Sequence, residues 1–250
     1  MSKHKALGID IGGTGIKGAV VDVSTGELLS DRIKIATPEG GEPDAIVETV
    51  YTLVEQLGRL GKKEPIGVCF PAVVIQGKTL SAANVSDRWI GLNAEKLFEK
   101  RLERDIHFVN DADAAGFAEN RFGAAKDSKG LTIMTTLGTG IGSALIYNGV
   151  LIPNAELGHL EIDGVDYETM ASFAAKERDN LDWDAWAERL QRYYSKLEDY
   201  FSPELFVVGG GVSKEYKDFL PLLDLKTPIV PAKLRNNAGI MGAATLAADA

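Results

Sequence analysis

The sequence predicts a mixed α/β protein made of two similar halves. Short apolar segments rich in β-branched residues alternate with segments of helical periodicity along the 250 residues, which is typical of α/β proteins. Gly13-Thr14-Gly15-Ile16 recurs as Gly138-Thr139-Gly140-Ile141, and both copies lie between β-rich flanks. This repetition indicates an internal duplication, so we expect two similar halves that pack face to face and grip one ligand in a cleft between them.

The composition is that of an ordinary globular protein, with 45% hydrophobic and 25% charged residues. The net charge of −9 argues against a nucleic-acid partner. No apolar run approaches the roughly 18 to 20 residues that span a bilayer, and no signal peptide precedes the first strand, so we expect a cytoplasmic protein with no membrane partner. The single cysteine, Cys69, excludes an intrachain disulfide, and its apolar neighbours favour a buried structural thiol.

Hydrophobic periodicity places the elements of the first half. They are strands at 6–11, 19–23, 28–35, 66–70 and 106–109, a hairpin at 73–80, and helices at 43–60 and 93–104. The long helix is predicted to begin at Pro43 and to end at Gly61.

The second half repeats the pattern of strands followed by helices. Its predicted elements are strands at 131–137, 143–147, 150–152 and 205–208, a loop at 154–159, and helices at 167–178, 183–201 and 238–248. The apolar stripe of the helix at 183–201, with Trp186, Tyr193 and Tyr194, reads as core. Because no flexible linker is evident, we expect domains at 1–112 and 113–237, with the C-terminal helix at 238–250 completing the first.

The first glycine-rich turn combines groups that suit a phosphate chain with a bound metal. Bare backbone N–H groups, a hydroxyl, an ammonium and one carboxylate converge there. The residues are Asp10, Gly12, Gly13, Thr14, Gly15 and Lys17. A plain hairpin is the alternative. Gly13, Gly15 and Gly18 match a dinucleotide fingerprint, but a strand follows where that fingerprint needs a helix, so a Rossmann site is not expected.

Asn110-Asp111-Ala112-Asp113 closes a strand, where active sites form in α/β proteins. Asp111 suits a base that accepts a proton from a substrate hydroxyl. Helix capping is the alternative reading, and both can hold if Asp113 caps the helix and Asp111 faces the cleft.

Three further loops carry candidate binding groups. Glu156 and His159 suit hydroxyl recognition, and Asn84 belongs to a segment of amides and hydroxyls of the type that binds sugars. Gly209-Gly210-Gly211 follows a buried strand and reads either as an opening for a nucleoside or phosphate or as a tight strand-to-helix turn.

In this order the motifs resemble those of the ROK sugar kinases of the actin-like (ribonuclease H-like) ATPase fold, and more closely the polyphosphate glucokinases. The resemblance extends over nearly the whole chain. The segments that carry it are 10–18, 81–85, 110–116, 137–143, 153–159 and 208–211.

The resemblance implies a phosphoryl transfer to the 6-hydroxyl of glucose, with mannose as an alternative acceptor. Asp111 would be the catalytic base, and the groups that hydrogen-bond the sugar would be Asn84, Asn110, Asp111, Glu156, His159 and Glu168. Asp10 would lie near the transferred phosphate and hold Mg²⁺ indirectly. The donor, polyphosphate or ATP or both, would bind the two Gly-Thr-Gly turns and Gly209, Gly210 and Gly211. The resemblance further implies a homodimer that acts in glycolysis.

One departure from the family pattern concerns zinc. Many members carry a cysteine-rich zinc motif after the Glu-x-Gly-His segment, and the corresponding residues 161–168 contain no cysteine. We therefore expect no zinc site. The zinc-free form, with Leu234-Arg235-Asn236 before the last helix, is similar to the polyphosphate-using branch. The candidate cations for a polyphosphate path are Lys17, Arg88, Lys176, Lys214, Lys233 and Arg235, each of which could instead be a solvated surface charge.

Three alternatives remain beside this interpretation. One is a ROK glucokinase that uses ATP alone, and another is a sugar or nucleotide sensor, which would have no need of Asp111. A ROK transcriptional repressor would need a helix-turn-helix domain before Asp10, where nine residues stand, and is not expected.

Overall fold

The computed structural model describes residues 4–58, 61 and 64–250. The chain separates into unit 1 (Met1–Ala118 with Asn236–Ala250) and unit 2 (Glu119–Arg235). Each unit has its own five-stranded sheet and its own hydrophobic core. None of the helices in the described ranges is long and apolar enough to cross a membrane.

Unit 1 is built on a sheet with the strand order β3-β2-β1-β4-β7. Its strands are β1 (Lys5–Gly12), β2 (Gly15–Asp22), β3 (Ile33–Ile35), β4 (Ile66–Phe70), β5 (Val74–Ile75), β6 (Lys78–Thr79) and β7 (His107–Asn110). Its helices are α1 (Pro43–Leu57), α2 (Ala94–Leu102), the start of α3 (Asp111–Phe122), and α8 (Ala238–Asp249). The first three strands form an antiparallel meander, and β4 and β7 run parallel to β1. The carboxyl ends of β1, β4 and β7 therefore share one edge of the sheet.

Unit 2 repeats this topology. Its strands are β8 (Leu131–Leu137), β9 (Ile141–Tyr147), β10 (Val150–Ile152), β11 (Glu161–Ile162), β12 (Val165–Asp166), β13 (Leu205–Gly209) and β14 (Ile229–Pro231). Its helices are α4 (Glu168–Ala171), α5 (Phe173–Arg178), α6 (Trp183–Phe201) and α7 (Tyr216–Phe219). The sheet order is β10-β9-β8-β13-β14, again a meander followed by two strands parallel to its first member. The α/β fold class and the internal duplication are confirmed.

The C-terminal helix α8 packs closely on the sheet of unit 1. A Cβ at Gly8 of β1 would lie 1.8 Å from the Ile240 carbonyl oxygen, and a Cβ at Gly67 of β4 would lie 1.8 Å from the Ala243 oxygen. Any side chain at these two positions would push the helix away. The small residues predicted for this helix thus allow a backbone-to-backbone approach.

Two predicted elements of unit 1 are shorter in the structure. The strand expected at 28–35 forms a continuous ladder only over Ile33–Ile35 and an isolated bridge between Leu28 and Val21. The ladder is interrupted because the Ser30 hydroxyl accepts the Val20 N–H (3.0 Å) where a strand carbonyl would otherwise do so. Helix α1 ends at Leu57, where Gly58 takes a φ of 82°. Leu60, the last residue predicted for this helix, lies outside the described residues.

One predicted helix of unit 2 is interrupted. The segment 167–178 forms α4 and α5 with Ser172 extended between them, and the Ser172 hydroxyl accepts the Ala175 N–H (3.2 Å). The serine ends one helix and caps the next. The predicted core residues Trp186, Tyr193 and Tyr194 of α6 are fully buried, as expected.

Candidate active site

The first Gly-Thr-Gly turn projects from the sheet of unit 1. β1 ends at Gly12, β2 begins at Gly15, and the tip of the turn is exposed. Asp10 and Lys17 are directly opposite each other on the two strands, and Lys17 Nζ lies 3.1 Å from Asp10 Oδ2. Both side chains are mostly buried, so Asp10 is held by a cation at the base of the turn.

Asn84 lies against this turn. A Cβ at Gly13 would be 2.9 Å from the Asn84 Cβ, and Asn84 itself has a left-handed φ of 61°. Glycine at position 13 therefore admits the loop that carries Asn84. In unit 1 the structure places the predicted sugar ligand Asn84 beside the predicted phosphate turn.

The structure adds Lys34 to this turn, a residue that sequence reasoning missed. Lys34 is opposite Lys17 on the neighbouring strand, and its Cε would lie 2.6 Å from a Cβ at Gly15. The Lys34 side chain thus lies over the Gly15 backbone. Like charges directly opposite on a sheet repel each other, and an anion between them relieves that repulsion. Extending the register of the predicted meander to its third strand would have revealed this pair.

Asp111 stands at the same sheet edge as Asp10. In the parallel register Asp10 is opposite Cys69, Cys69 is opposite Val109, and Asp111 follows directly after β7. Asp111 lies two strands away from Asp10 and two residues further along, which separates the two backbones by about 12 Å. Burial raises the pKa of the Cys69 thiol well above its ordinary value, and the negative charges of Asp10 and Asp111 raise it further. Cys69 is fully buried between the two carboxylates, so the prediction of a buried thiol is confirmed.

The backbone around Asp111 is fixed by side-chain hydrogen bonds. Asn110 Oδ1 accepts the Asp113 N–H (2.9 Å), Asn110 Nδ2 donates to the Ala72 carbonyl (3.0 Å), and Asp111 Oδ1 accepts the Ala112 N–H (2.8 Å). The prediction that Asp113 caps α3 is therefore wrong. The capping acceptor is Asn110, because Asp113 lies inside the first turn of the helix. Asn110 orients the start of the helix that carries Asp111.

The second Gly-Thr-Gly turn, in unit 2, has a different neighbour. Thr139 is again the exposed tip, but Glu168 Oε2 accepts the Ile141 N–H (2.7 Å) and would lie 2.4 Å from a Cβ at Gly140. The Glu168 carboxylate therefore rests on this turn. Gly138 closes the turn by donating its N–H to the Gly140 carbonyl (2.9 Å).

The loop with Glu156 and His159 is anchored to β9 at two points. The Ser143 hydroxyl donates to the Ala155 carbonyl (2.5 Å) and accepts the Leu157 N–H (2.8 Å). A Cβ at Gly158 would lie 2.0 Å from the Ile141 carbonyl oxygen, so only glycine fits there. In the Glu-x-Gly-His segment, Glu156 and His159 therefore flank a glycine that is packed tightly against β9.

The three polar residues predicted to bind sugar in unit 2 are electrostatically coupled. Burial raises the pKa of Glu156, an effect that His159 opposes and Glu168 reinforces. The pKa of His159 is raised chiefly by its hydrogen bond to Asp166 and, less strongly, by Glu168 and Glu156. His159 Nδ1 lies 2.8 Å from Asp166 Oδ2. Asp166 was missed, although an Asp163-Gly164 turn between short strands could have placed it opposite Glu161, two residues from the histidine.

The triple glycine follows β13 as a strand-to-helix turn. A Cβ at Gly209 would lie 2.7 Å from Met134 Cε, and one at Gly210, where φ is 83°, would lie 2.1 Å from the Leu137 carbonyl oxygen. Glycine is therefore required at position 210 by the backbone, whereas at position 209 a side chain would displace only the flexible end of Met134. Gly211, which opens a 3₁₀ turn, has no described neighbour within 4 Å of such a Cβ.

Metal binding at this site depends on few protein ligands. Among the described residues no group of three histidines, cysteines or carboxylates is placed to hold a metal ion. One carboxylate, Asp10, at a turn of exposed backbone N–H groups fits Mg²⁺, which binds through one or two carboxylates together with water and substrate phosphates.

Comparisons with known proteins identify the family of this chain. The sequence profile of the ROK family matches residues 6–180. The chain is 46% identical to the polyphosphate glucokinase of Mycobacterium leprae over 244 residues, which are 97% of this chain and 74% of that protein. The crystal structure of the inorganic polyphosphate/ATP-glucomannokinase from Arthrobacter sp. strain KM matches at 52% identity and a TM-score of 0.93, covering 98% of each chain.

A second solved structure carries ligands. A ROK family glucokinase from Streptomyces griseus, in complex with glucose and AMPPNP, matches at 25% identity and a TM-score of 0.82, covering 98% of this chain and all of that one. The fold of these structures is the actin-like ATPase fold that the motifs predict. On the profile match and the identity to its relatives, this chain belongs to the ROK family.

Proposed function

We propose that this protein is a kinase that transfers a phosphoryl group from inorganic polyphosphate or ATP to the 6-hydroxyl of glucose, giving glucose 6-phosphate. The observation that carries the proposal is the sheet edge of unit 1, where the Asp10–Lys17 pair, a turn of exposed N–H groups and Asp111 occur together. Relatives named for glucokinase activity with polyphosphate or ATP support the choice of donor and acceptor.

Asp111 is the proposed base. Its carboxylate accepts the proton of the sugar 6-hydroxyl while that oxygen attacks the terminal phosphorus of the donor, and the bond from this phosphorus to the bridging oxygen breaks in line. ATP then leaves as ADP, and polyphosphate leaves one unit shorter. The N–H groups of the first turn and the Lys17 ammonium stabilise the charge on the donor oxygens. Mg²⁺, when bound, neutralises donor charge, and Asp10 would hold it indirectly.

Five side chains are proposed as hydrogen-bond partners of the sugar in addition to Asp111. They are Asn84, Asn110, Glu156, His159 and Glu168. In unit 2, the electrostatic coupling of Glu156 to His159 and Glu168 supports a shared role in hydroxyl recognition. Asn110 makes two internal hydrogen bonds, which supports an orienting contribution to the helix of Asp111.

The donor is proposed to use Lys34 as well as Lys17. Lys17 is engaged by Asp10, whereas Lys34 lies over Gly15 and presents a second ammonium at the same turn. Of the other cations considered for a polyphosphate path, Arg88 pairs with Glu42 (2.9 Å), and Lys176 donates to the Leu181 carbonyl (2.7 Å). These contacts favour structural roles for Arg88 and Lys176.

Several finer assignments stay proposals. They are donor binding by the second Gly-Thr-Gly turn and Gly209, Gly210 and Gly211, polyphosphate contacts of Lys214, Lys233 and Arg235, the two-domain division at 112, mannose as acceptor, a homodimer, a cytoplasmic location and a role in glycolysis.

The test is formation of glucose 6-phosphate, measured with polyphosphate and with ATP as separate donors after the polyphosphate preparation has been freed of nucleotide. Product from both donors is the expected result. Product from ATP alone would indicate a strictly ATP-dependent ROK glucokinase, and glucose binding without product from either donor would indicate a sensor.

A further inference from the structure

The β11–β12 hairpin delivers one carboxylate to the imidazole of His159. Asp163 and Gly164 form its turn with left-handed φ values of 54° and 77°, and Asp166 is the last residue of β12. Asp166 Oδ2 lies 2.8 Å from His159 Nδ1. The other oxygen, Oδ1, accepts the Glu168 N–H at 3.1 Å.

Both oxygens of Asp166 are therefore engaged by residues proposed to bind sugar. Through Oδ1 it fixes the start of α4, from which Glu168 reaches the Ile141 N–H, and through Oδ2 it fixes the ring of His159. A carboxylate held by two hydrogen bonds has little rotational freedom, so it can define the orientation of the ring.

The hydrogen bond also selects the tautomer of His159. An ionised carboxylate only accepts hydrogen bonds, so Nδ1 must carry the proton. In the neutral imidazole Nε2 is then an acceptor. The His159 side chain is 55% exposed, so a ligand can reach the ring.

We infer that Asp166 is a positioning residue for sugar binding, which holds His159 so that its Nε2 accepts a hydrogen bond from a sugar hydroxyl. The inference rests on the proposed function in taking the sugar as the ligand. It assigns to Asp166 the orienting role that a carboxylate has for the histidines of metal sites, where it accepts the N–H of the ring and fixes the tautomer.

A pH dependence follows from the groups that face the ring. Asp166 from β12, Glu168 from α4 and Glu156 from the preceding loop all carry negative charge toward His159 and raise its pKa above the ordinary value. Protonation converts Nε2 from acceptor to donor. Glucose binding therefore weakens as the pH falls through the His159 pKa, and it is fully established above that pKa.

The experiment compares three variants of the full chain. Asp166→Asn keeps an oxygen that can accept the Nδ1–H but removes the charge, and Asp166→Ala removes both. Asp163→Asn is the matched control, because it removes one carboxylate from the same hairpin, where Asp163 contacts Arg192 and not His159. Thermal melting identifies any variant that fails to fold.

The first readout is the ¹⁵N spectrum of the histidine ring nitrogens, which reports tautomer and pKa directly. The chain has three histidines, and loss of a signal in His159→Gln assigns the relevant one. We expect the Nδ1–H tautomer in the wild type, a lowered pKa in Asp166→Asn, and a mixture of tautomers in Asp166→Ala. The Asp163→Asn spectrum should match the wild type.

The second readout is KM for glucose against kcat between pH 5 and 8. We expect Asp166→Ala to raise KM about tenfold, the effect of one lost hydrogen bond, while kcat at saturating glucose stays within about twofold. In Asp166→Asn, KM for glucose should begin to rise at a lower pH than in the wild type, because the pKa of His159 is lower. An unchanged tautomer and KM in Asp166→Ala, or an equal effect of Asp163→Asn, would overturn the inference. If neither donor gives product, the proposed function fails, while the spectra still test the contact between Asp166 and His159.

Discussion

Replacing Asp111 by asparagine should abolish most of the catalysis and leave the fold intact. The amide oxygen of the introduced asparagine can still accept the Ala112 N–H that Asp111 Oδ1 now accepts, so the start of α3 keeps its hydrogen bond. What is lost is the ability to accept a proton. General-base catalysis contributes about 10²- to 10⁴-fold, so we expect kcat to fall by that factor, which is about 3 to 5 kcal/mol in the barrier.

The assay is the steady-state rate of glucose 6-phosphate formation with each donor, together with calorimetric titration of glucose. Asp105→Asn is the control, since Asp105 is an exposed acid just before β7, at the opposite end of the same strand. Glucose affinity should stay within a few-fold of the wild type in both variants. A kcat of Asp111→Asn within threefold of the wild type, or an equal loss in Asp105→Asn, would refute the assignment of the base.

Three further predictions concern the turn, the packing and the thiol. Lys34→Ala should raise KM for polyphosphate about three- to tenfold and make KM less dependent on salt, whereas the same change at the exposed Lys100 should do neither. Gly67→Ala places a methyl group 1.8 Å from a carbonyl oxygen of α8 and should lower the free energy of unfolding by about 3 kcal/mol. In a melting experiment Tm should then fall by about 6 to 12 °C. Gly211→Ala, whose methyl has no described neighbour within 4 Å, should leave Tm unchanged. Cys69, fully buried with a raised pKa, should react with a thiol reagent only on the timescale of unfolding, and rapid labelling of the native protein would contradict this.

The elements that sequence reasoning located well are those with strong local signals. Helix α6 was predicted with the bounds that the structure gives, because its apolar stripe is long and Asp182 caps its first turn. The duplication was visible because the repeated turn needs glycine in both copies, and the sheet orders confirm it. The position of Asp111 directly after a predicted strand also indicated its place at the carboxyl edge of the sheet, and the parallel register puts Asp10 at the same edge.

The features that sequence reasoning missed depend on register or on a single side chain. The contact of Lys34 with the first turn requires the pairing of the second and third strands, which periodicity alone does not define. The break at Ser172 depends on one hydroxyl that accepts a backbone N–H instead of continuing the helix. The partner of His159 is Asp166, which lies on a hairpin whose strands have only two residues each and are too short to give a periodic signal.

The two copies of the repeated turn differ most in what lies on them. Gly15 in the first copy and Gly140 in the second are equivalent positions, and each lacks a side chain because another residue occupies that space. The occupant is the Lys34 ammonium stem in unit 1 and the Glu168 carboxylate in unit 2. A cation over backbone N–H groups attracts a phosphate, whereas a carboxylate accepts hydrogen bonds from hydroxyl groups. Duplication therefore preserved the backbone of the turn, whereas the charge of the side chain that lies over its second glycine differs between the two copies.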